Sequence, residues 1–203
     1  MADLMSKTAL VTGGGTGIGF GIAAKLMEAN AQVTIAGRRE DVLNEAAERL
    51  DASVSSSGNI KVVCCDVTDA LAVRNAVEVA ANDKGVLDIA VANAGIGAGG
   101  PFLTMTDETL RSVLEVNVVG AFNTIQAAAE TMRSSGGSII AISSIAGALG
   151  GRFRAAYASS KAALDMLVRS AADELGGFGI RINSIRPGVV ESEATAMMLE
   201  HMP

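Results

Sequence analysis

The chain has 203 residues, 49% apolar and 19% charged, which is enough to bury a core and too apolar for a disordered segment. A net charge of −6 and only 3% aromatic residues argue against a nucleic-acid partner, which calls for basic grooves and stacking rings. The one histidine, His201, argues against a histidine-centred triad or a histidine-rich metal site, and no metal is expected.

The elements alternate along the chain. Lys7–Val11 reads as a strand and Gly17–Ala29 as a helix, with Ile18, Ile22 and Leu26 on one face. Ala31–Ala36 is a second strand, and a charged helix follows over Glu40–Leu50. The polar stretch Asp51–Asn59 reads as a loop, and Ile60–Cys65 as a third strand. A helix covers Asp69–Asn82, with Asp69 at its start and Lys84–Gly85 at its end. Leu87–Ala92 is a fourth strand and Gly95–Gly100 a flexible loop. One long helix lies within Thr106–Met132, then a fifth strand at Ser138–Ser143. Gly147–Gly151 reads as a mobile loop, Ala155–Leu175 as a helix and Ile180–Ile185 as a sixth strand. Such alternation specifies a doubly wound α/β fold with a six-stranded parallel sheet in the order 3-2-1-4-5-6, and residues 1–203 read as one domain.

Cys64 and Cys65 are adjacent, and neighbours on a strand point to opposite faces, so no disulfide between them is expected. Met1–Lys7 lacks the layout of a leader peptide, and no apolar run reaches membrane length. A soluble cytoplasmic protein with no membrane partner is the expectation.

Of the 203 residues 23 are glycine, well above the average of about 7%. Their clearest cluster is Thr12–Gly19, TGGGTGIG, between a strand and a helix. Glycines there permit positive φ, and a helix start offers unpaired N–H groups that suit a pyrophosphate. A plain tight turn is the alternative. Phe20 after the last glycine excludes the Lys-Ser or Lys-Thr pair of a P-loop.

The spacing Gly13-x-x-x-Gly17-x-Gly19 resembles the glycine motif of the short-chain dehydrogenase/reductase family, and further motifs in the family's order extend the resemblance from about Lys7 to Ser192. The resemblance implies a Rossmann-type dinucleotide-binding domain with Gly13, Gly15, Thr16, Gly17, Ile18 and Gly19 at the pyrophosphate. Gly37 stands where an acidic residue would bond the ribose of NAD, and Arg38 follows it. This favours NADP(H), with NAD(H) as the alternative. The other reading of Arg38 and Arg39 is a solvated pair facing Glu40 and Asp41. By resemblance Asp66 and Val67 bind the adenine, against a turn that caps the next helix. Asn93-Ala94-Gly95 matches the family's N-A-G motif, with Asn93 bonding neighbouring strand backbones. Pro187, Gly188 and Ser192 border the nicotinamide, Ser192 standing where the family has a threonine.

Tyr157-Ala158-Ser159-Ser160-Lys161 places the only tyrosine four residues before a lysine on a helix. An ammonium beside a phenol favours the phenolate, which makes tyrosine usable as an acid or base near neutrality. The apolar stripe of that helix runs through Leu164, Leu167, Val168, Ala171 and Leu175, which puts the pair off the stripe and on a cleft. Ser144 lies thirteen residues before Tyr157, the family's spacing for a catalytic serine, against a serine making a local turn bond. Asn117 interrupts the stripe Leu110, Val113, Leu114, Ala121 and Ile125. In the family it completes a tetrad with Ser144, Tyr157 and Lys161 and holds a water that relays protons to the lysine. A structural asparagine at a kink is the alternative.

Together these imply an oxidoreductase moving a hydride between NADP(H) and a small carbonyl or secondary-alcohol substrate. Tyr157 serves as general acid/base, and Tyr157 and Lys161 also contact the cofactor. A homodimer or homotetramer is implied by resemblance. The rival is a non-catalytic dinucleotide-binding sensor or scaffold. It draws on the position of Pro203, inside the family's substrate loop and before its usual seventh strand.

Overall fold

The computed structural model describes residues 3–53, 60–83 and 85–190. The strands are β1 (Thr8–Thr12), β2 (Gln32–Gly37), β3 (Ile60–Cys64), β4 (Ile89–Ala92), β5 (Gly137–Ile142) and β6 (Ile180–Ile185). They form one parallel sheet in the order β3-β2-β1-β4-β5-β6, as the alternation predicts. Every residue of β1 is buried, as befits a central strand covered on both faces. Edge strand β3 keeps only one fully buried residue.

Alternation along the strands builds two cores. Ala9 and Val11 of β1 face α1 (Gly17–Glu28) and α2 (Glu40–Ser53), where they meet Met27, Leu43 and Leu50. Leu10 faces the opposite way, toward α3 (Ala70–Ala80), α5 (Ala121–Met132) and α7 (Ala155–Leu175), and shares a core with Val73, Met132 and Leu164. Helix starts follow local chemistry. The Asp69 carboxylate accepts from the backbone N–H groups of Leu71 and Ala72, a cap worth about 1 kcal/mol. Glu40 and Asp41 put negative charge in the first turn of α2. Among the described residues no helix is long and apolar enough to cross a membrane.

Four expectations need correction. The helix expected from the Thr106–Met132 window is not continuous: α4 (Asp107–Leu114) passes into a π-helical turn over Glu115–Gly120, and α5 follows. The turn widens where Gly120 packs on Val67, and any Cβ at position 120 would strike the Val67 side chain. The expected loop at Gly147–Gly151 begins with the short helix α6 (Ala146–Leu149). A Cβ on Gly147 would lie 2.9 Å from the Ala162 nitrogen, so this glycine serves close packing on α7. Asp51–Ser53, read as loop, continues α2. On α7 the buried positions are Ala156, Ser160, Lys161, Leu164, Asp165 and Val168, whereas Leu167, Ala171 and Leu175 are half-buried. The Tyr157–Lys161 side of the helix thus turns further inward than its apolar stripe indicates. The cysteines behave as expected, with Cys64 exposed and Cys65 buried.

Asp88 ties the entry of β1 to that of β4. It accepts from the Lys7 ammonium at 2.7 Å, the Thr8 N–H at 3.0 Å and the Thr8 hydroxyl at 3.3 Å. Burial opposes the charge, yet these donors hold the carboxyl below its usual range. A carboxyl with a folded-state value below its unfolded one stabilises above the ordinary carboxylate range and loses that contribution as pH falls through it. Asp88→Asn should cost about 1 kcal/mol at neutral pH, since Lys7 is solvent-screened. It should also flatten the loss of urea resistance between about pH 5 and pH 3. Equal acid sensitivity in both proteins would contradict this.

Candidate active site

The site lies along the carboxyl ends of the strands, where the sheet order reverses between β1 and β4. After β1 the chain turns through Gly13 (φ +66°) and Gly17 (φ +54°) into α1. A Cβ on Gly13 would stand 2.9 Å from the Asn93 amide nitrogen, and one on Gly19 would strike the Gly13 carbonyl. These two glycines therefore let the loop close on α1 and β4. Asn93 locks the closure by donating to the carbonyls of Thr12 (2.9 Å) and Gly13 (3.1 Å). The Thr12 hydroxyl accepts from the backbone of Asn93 and Ala94. Thr16 occupies the N-cap of α1 without a side-chain capping bond.

Two joined depressions run over these strand ends. The first, about 290 Å³, is walled by Gly13, Gly15, Thr16, Arg38, Asp66 and Val67, with Ala94 on its floor. The second, about 610 Å³, is walled by Ile18, Ser144, Tyr157, Lys161, Pro187 and Gly188, with Arg154 at its side. Asn93, Gly95 and Ile96 belong to both and form the saddle between them. Gly17 and Gly19 shape the loop behind this surface. Ser192 lies outside the described residues.

At the first depression Gly37 leaves the tip of β2 without a carboxylate. Arg38 is exposed, and among the described residues neither Arg38 nor Arg39 enters an ion pair. Glu40 and Asp41 instead begin α2. Asp66 accepts from the Thr68 backbone N–H (3.0 Å) and hydroxyl (2.8 Å), both at Oδ1. The backbone N–H, the hydroxyl and the nearby Arg38 guanidinium hold its carboxyl below the usual range, against the effect of burial. Of the two sequence readings of this segment the turn is present, since Asp66 makes it and Asp69 caps the helix. Burial pushes the Cys65 thiol up to about 11, and Asp66 and Asp69 add to it, so Cys65 is an inert wall.

The second depression is organised by α7. Lys161 is 4% exposed and its ammonium donates to the Ile142 carbonyl at 2.7 Å. The ammonium lies 5.8 Å from the centre of the Tyr157 ring. Burial drives the Lys161 value down to about 8, and Asp165 one turn further along α7 pulls it back up. The Ser144 oxygen accepts from the Ala146 N–H at 3.1 Å, the local turn bond, and Ser144 also faces the depression. The Ser143 hydroxyl donates to the Lys161 carbonyl at 3.2 Å.

Asn117 is fully buried in the π turn and stands behind the depression rather than on its wall. Its Oδ1 accepts from the Ile96 N–H at 2.8 Å, and its amide nitrogen donates to the Ile96 carbonyl and the Ser160 hydroxyl, both at 2.9 Å. The Ser160 hydroxyl donates in turn to the Tyr157 carbonyl at 2.7 Å. The site thus has three members that the sequence reading missed. Ser160 and Asp165 look like ordinary polar helix residues in the sequence. Ile96 acts through its backbone, which carries no side-chain signal.

A family model described as short chain dehydrogenase matches residues 7–202. The trans-4-hydroxycyclohexanecarboxylate dehydrogenase of Sinomonas cyclohexanicum is 38% identical over 94% of this chain and 74% of its own length. The 3alpha-hydroxysteroid dehydrogenase of Mediterraneibacter gnavus is 34% identical over 97% of this chain and 79% of its own. A short-chain type dehydrogenase/reductase structure from Mycobacterium ulcerans superposes with a TM-score of 0.94 at 37% identity, covering 100% of this chain and 74% of that one. Fold, strand order and relatives converge, and the chain belongs to the short-chain dehydrogenase/reductase family of oxidoreductases acting on alcohols and ketones.

Proposed function

We propose that the protein is an NADP(H)-dependent oxidoreductase that interconverts a ring-bearing ketone and its secondary alcohol, with Tyr157 as the general acid/base. The observation that carries this reading is the convergence of Tyr157, Ser144 and Lys161 on one depression. That depression opens directly onto a glycine-walled one bordered by Arg38.

The residues present fit a dinucleotide. Positions 13, 15, 17 and 19 carry no side chain, and the start of α1 offers N–H groups that Thr16 leaves uncapped. Gly13, Gly15, Thr16 and Ile18 would hold the pyrophosphate side. Arg38 would take the 2′-phosphate, and Asp66 and Val67 the adenine. Ala94, Gly95, Pro187 and Gly188 would border the nicotinamide. Bound there, the cofactor supplies or accepts the hydride.

Tyr157 gives its proton to the carbonyl oxygen in reduction and takes it back in oxidation. Ser144 donates to the same oxygen and stabilises the charge that develops on it. The Lys161 ammonium would hold the nicotinamide ribose beside Tyr157. Asn117 sets the height of the Gly95–Ile96 saddle against the Tyr157 turn of α7 through Ser160. Large apolar side chains stand in solvent on the segments next to the depression: Phe102 (77% exposed), Leu103 (96%) and Leu149 (77%). They suit a substrate with an apolar body. Two relatives are named for hydroxylated rings. The groove of about 380 Å³ between α5 and α7, walled by Phe122, Leu167 and Phe178, is our choice for the contact of a homo-oligomer.

Tyr157→Phe should lower turnover of a cyclic ketone by about 1,000-fold while keeping the rise in melting temperature that NADPH produces. A fully active variant would falsify the role of Tyr157. NADPH should raise the melting temperature more than NADH at equal concentration. Arg38→Asp should weaken NADPH about 10-fold or more and leave NADH unaffected. A larger shift with NADH in the native protein would contradict the arginine argument.

A further inference from the structure

Asp165 is an unusual group to find under a cleft. Its side chain is 7% exposed, and its Oδ2 accepts from the Arg186 Nε at 2.7 Å. Its Oδ1 is buried without a hydrogen bond among the described residues. A buried carboxylate with an unsatisfied oxygen costs stability, and a neutral side chain of the same shape would avoid that cost. Two structural facts indicate what the charge does. Asp165 lies one turn beyond Lys161 on the inward face of α7. Its partner Arg186 immediately precedes Pro187 and Gly188, which wall the second depression.

We propose that Asp165 is a positioning residue for the reaction. It supplies the negative countercharge to the buried Lys161 ammonium. Through Arg186 it also fastens α7 to the Pro187–Gly188 wall. This inference rests on the function proposed above.

The surroundings of Lys161 leave this task to Asp165 among the described residues. On α7 stands the Tyr157 phenol, and at the start of the helix the Arg154 cation lines the same depression. Strand β5 contributes only the neutral Ile142 carbonyl. The π turn contributes the neutral Asn117 amide, whose Oδ1 lies close to the ammonium across Gly95. Beyond β6 the charged group is Arg186, a cation already held by Asp165. Burial pushes the Asp165 carboxyl up, but the polar surroundings at Ser184 and Ser143, though no hydrogen bond reaches Oδ1 among the described residues, and then the Arg186 guanidinium outweigh it, so its value lies below the ordinary carboxylate range. Burial pushes the Lys161 value down, and Asp165 is the charge that opposes it.

The test reads urea midpoints of the whole chain, without substrate, between about pH 7 and pH 9. That window stays at or below the ordinary 9.0 of a thiol, above which Cys65 adds its own dependence. Where a lysine ionises lower in the folded than in the unfolded chain, the unfolded chain binds more protons, and stability rises with pH. The wild type should therefore trail Lys161→Met at neutral pH and gain on it as pH rises through the Lys161 value of about 8. In the Asp165→Asn background the same gap should begin to close about one pH unit lower. A gap that begins to close at the same pH in both backgrounds overturns the countercharge role. Should Asp165→Asn fail to fold, Asp165→Asn with Arg186→Met removes both partners of the ion pair, and the same comparison applies.

Turnover supplies the second arm. Asp165→Asn should lose activity progressively as pH rises from about 7 to 9, and Asp165→Glu should recover it. A loss by the same factor at every pH marks a merely structural residue and overturns the inference. Because the stability arm needs no turnover, it decides the countercharge by itself. A wild type that never reduces a ketone with NADPH contradicts the proposed function instead.

Discussion

The buried amide of Asn117 sets the spacing of the whole site. Leaving its donors and acceptor unpaired in the core would cost several kcal/mol, roughly 1–3 for each group. They are paired instead with both backbone groups of Ile96 and with Ser160. That single side chain joins three pieces of chain that are far apart in sequence: the loop after β4, the π turn and the first turns of α7. The π turn belongs to the same arrangement. One extra residue in a helical turn lets Gly120 pack against Val67 at the first depression while Asn117 reaches Ile96 and Ser160 behind the second.

The rest of the site follows from what the sheet can and cannot do. A parallel sheet buried on both faces brings the ends of β1, β4 and β5 side by side, so one cleft collects residues more than one hundred positions apart. The sheet provides no charge there. The charges come from its flanks: Arg38 at the tip of β2 and Lys161 from α7. Arg38 is exposed at the rim of the first depression. Lys161 is buried against a strand carbonyl and depends on the acidic residue behind it. The charge at the first depression is thus solvated, and the charge at the second is desolvated. Desolvation strengthens each interaction that acts on a reacting oxygen.

Much of this was legible in the residues. Strand order followed from the alternation of short apolar runs with helical patterns, because right-handed crossovers leave few alternatives. The TGGGTGIG loop and the Tyr157–Lys161 spacing located both ends of the cleft. What stayed hidden was three-dimensional in origin. The π turn has no local sequence signal, because its stripe through Val113, Asn117 and Ala121 also fits an α-helix. The inward rotation of α7 was misjudged because Leu167, Ala171 and Leu175 are as apolar as a core stripe yet line a surface groove. Asp165 and Ser160 read as solvent-facing until the helix is docked. The glycines were read as room for a ligand. At Gly13 and Gly19 the missing side chain also makes room for the protein itself.

The central claim is that the Asn117 amide holds the Gly95–Ile96 saddle in register with the Tyr157 turn, and that turnover depends on this register. The direct measurement is NADPH consumption by Asn117→Leu with a cyclic ketone, alongside circular dichroism and the melting shift with NADPH. The account predicts a folded protein that still gains stability from NADPH but turns over at least about 100-fold more slowly. A folded Asn117→Leu protein with native turnover would contradict it.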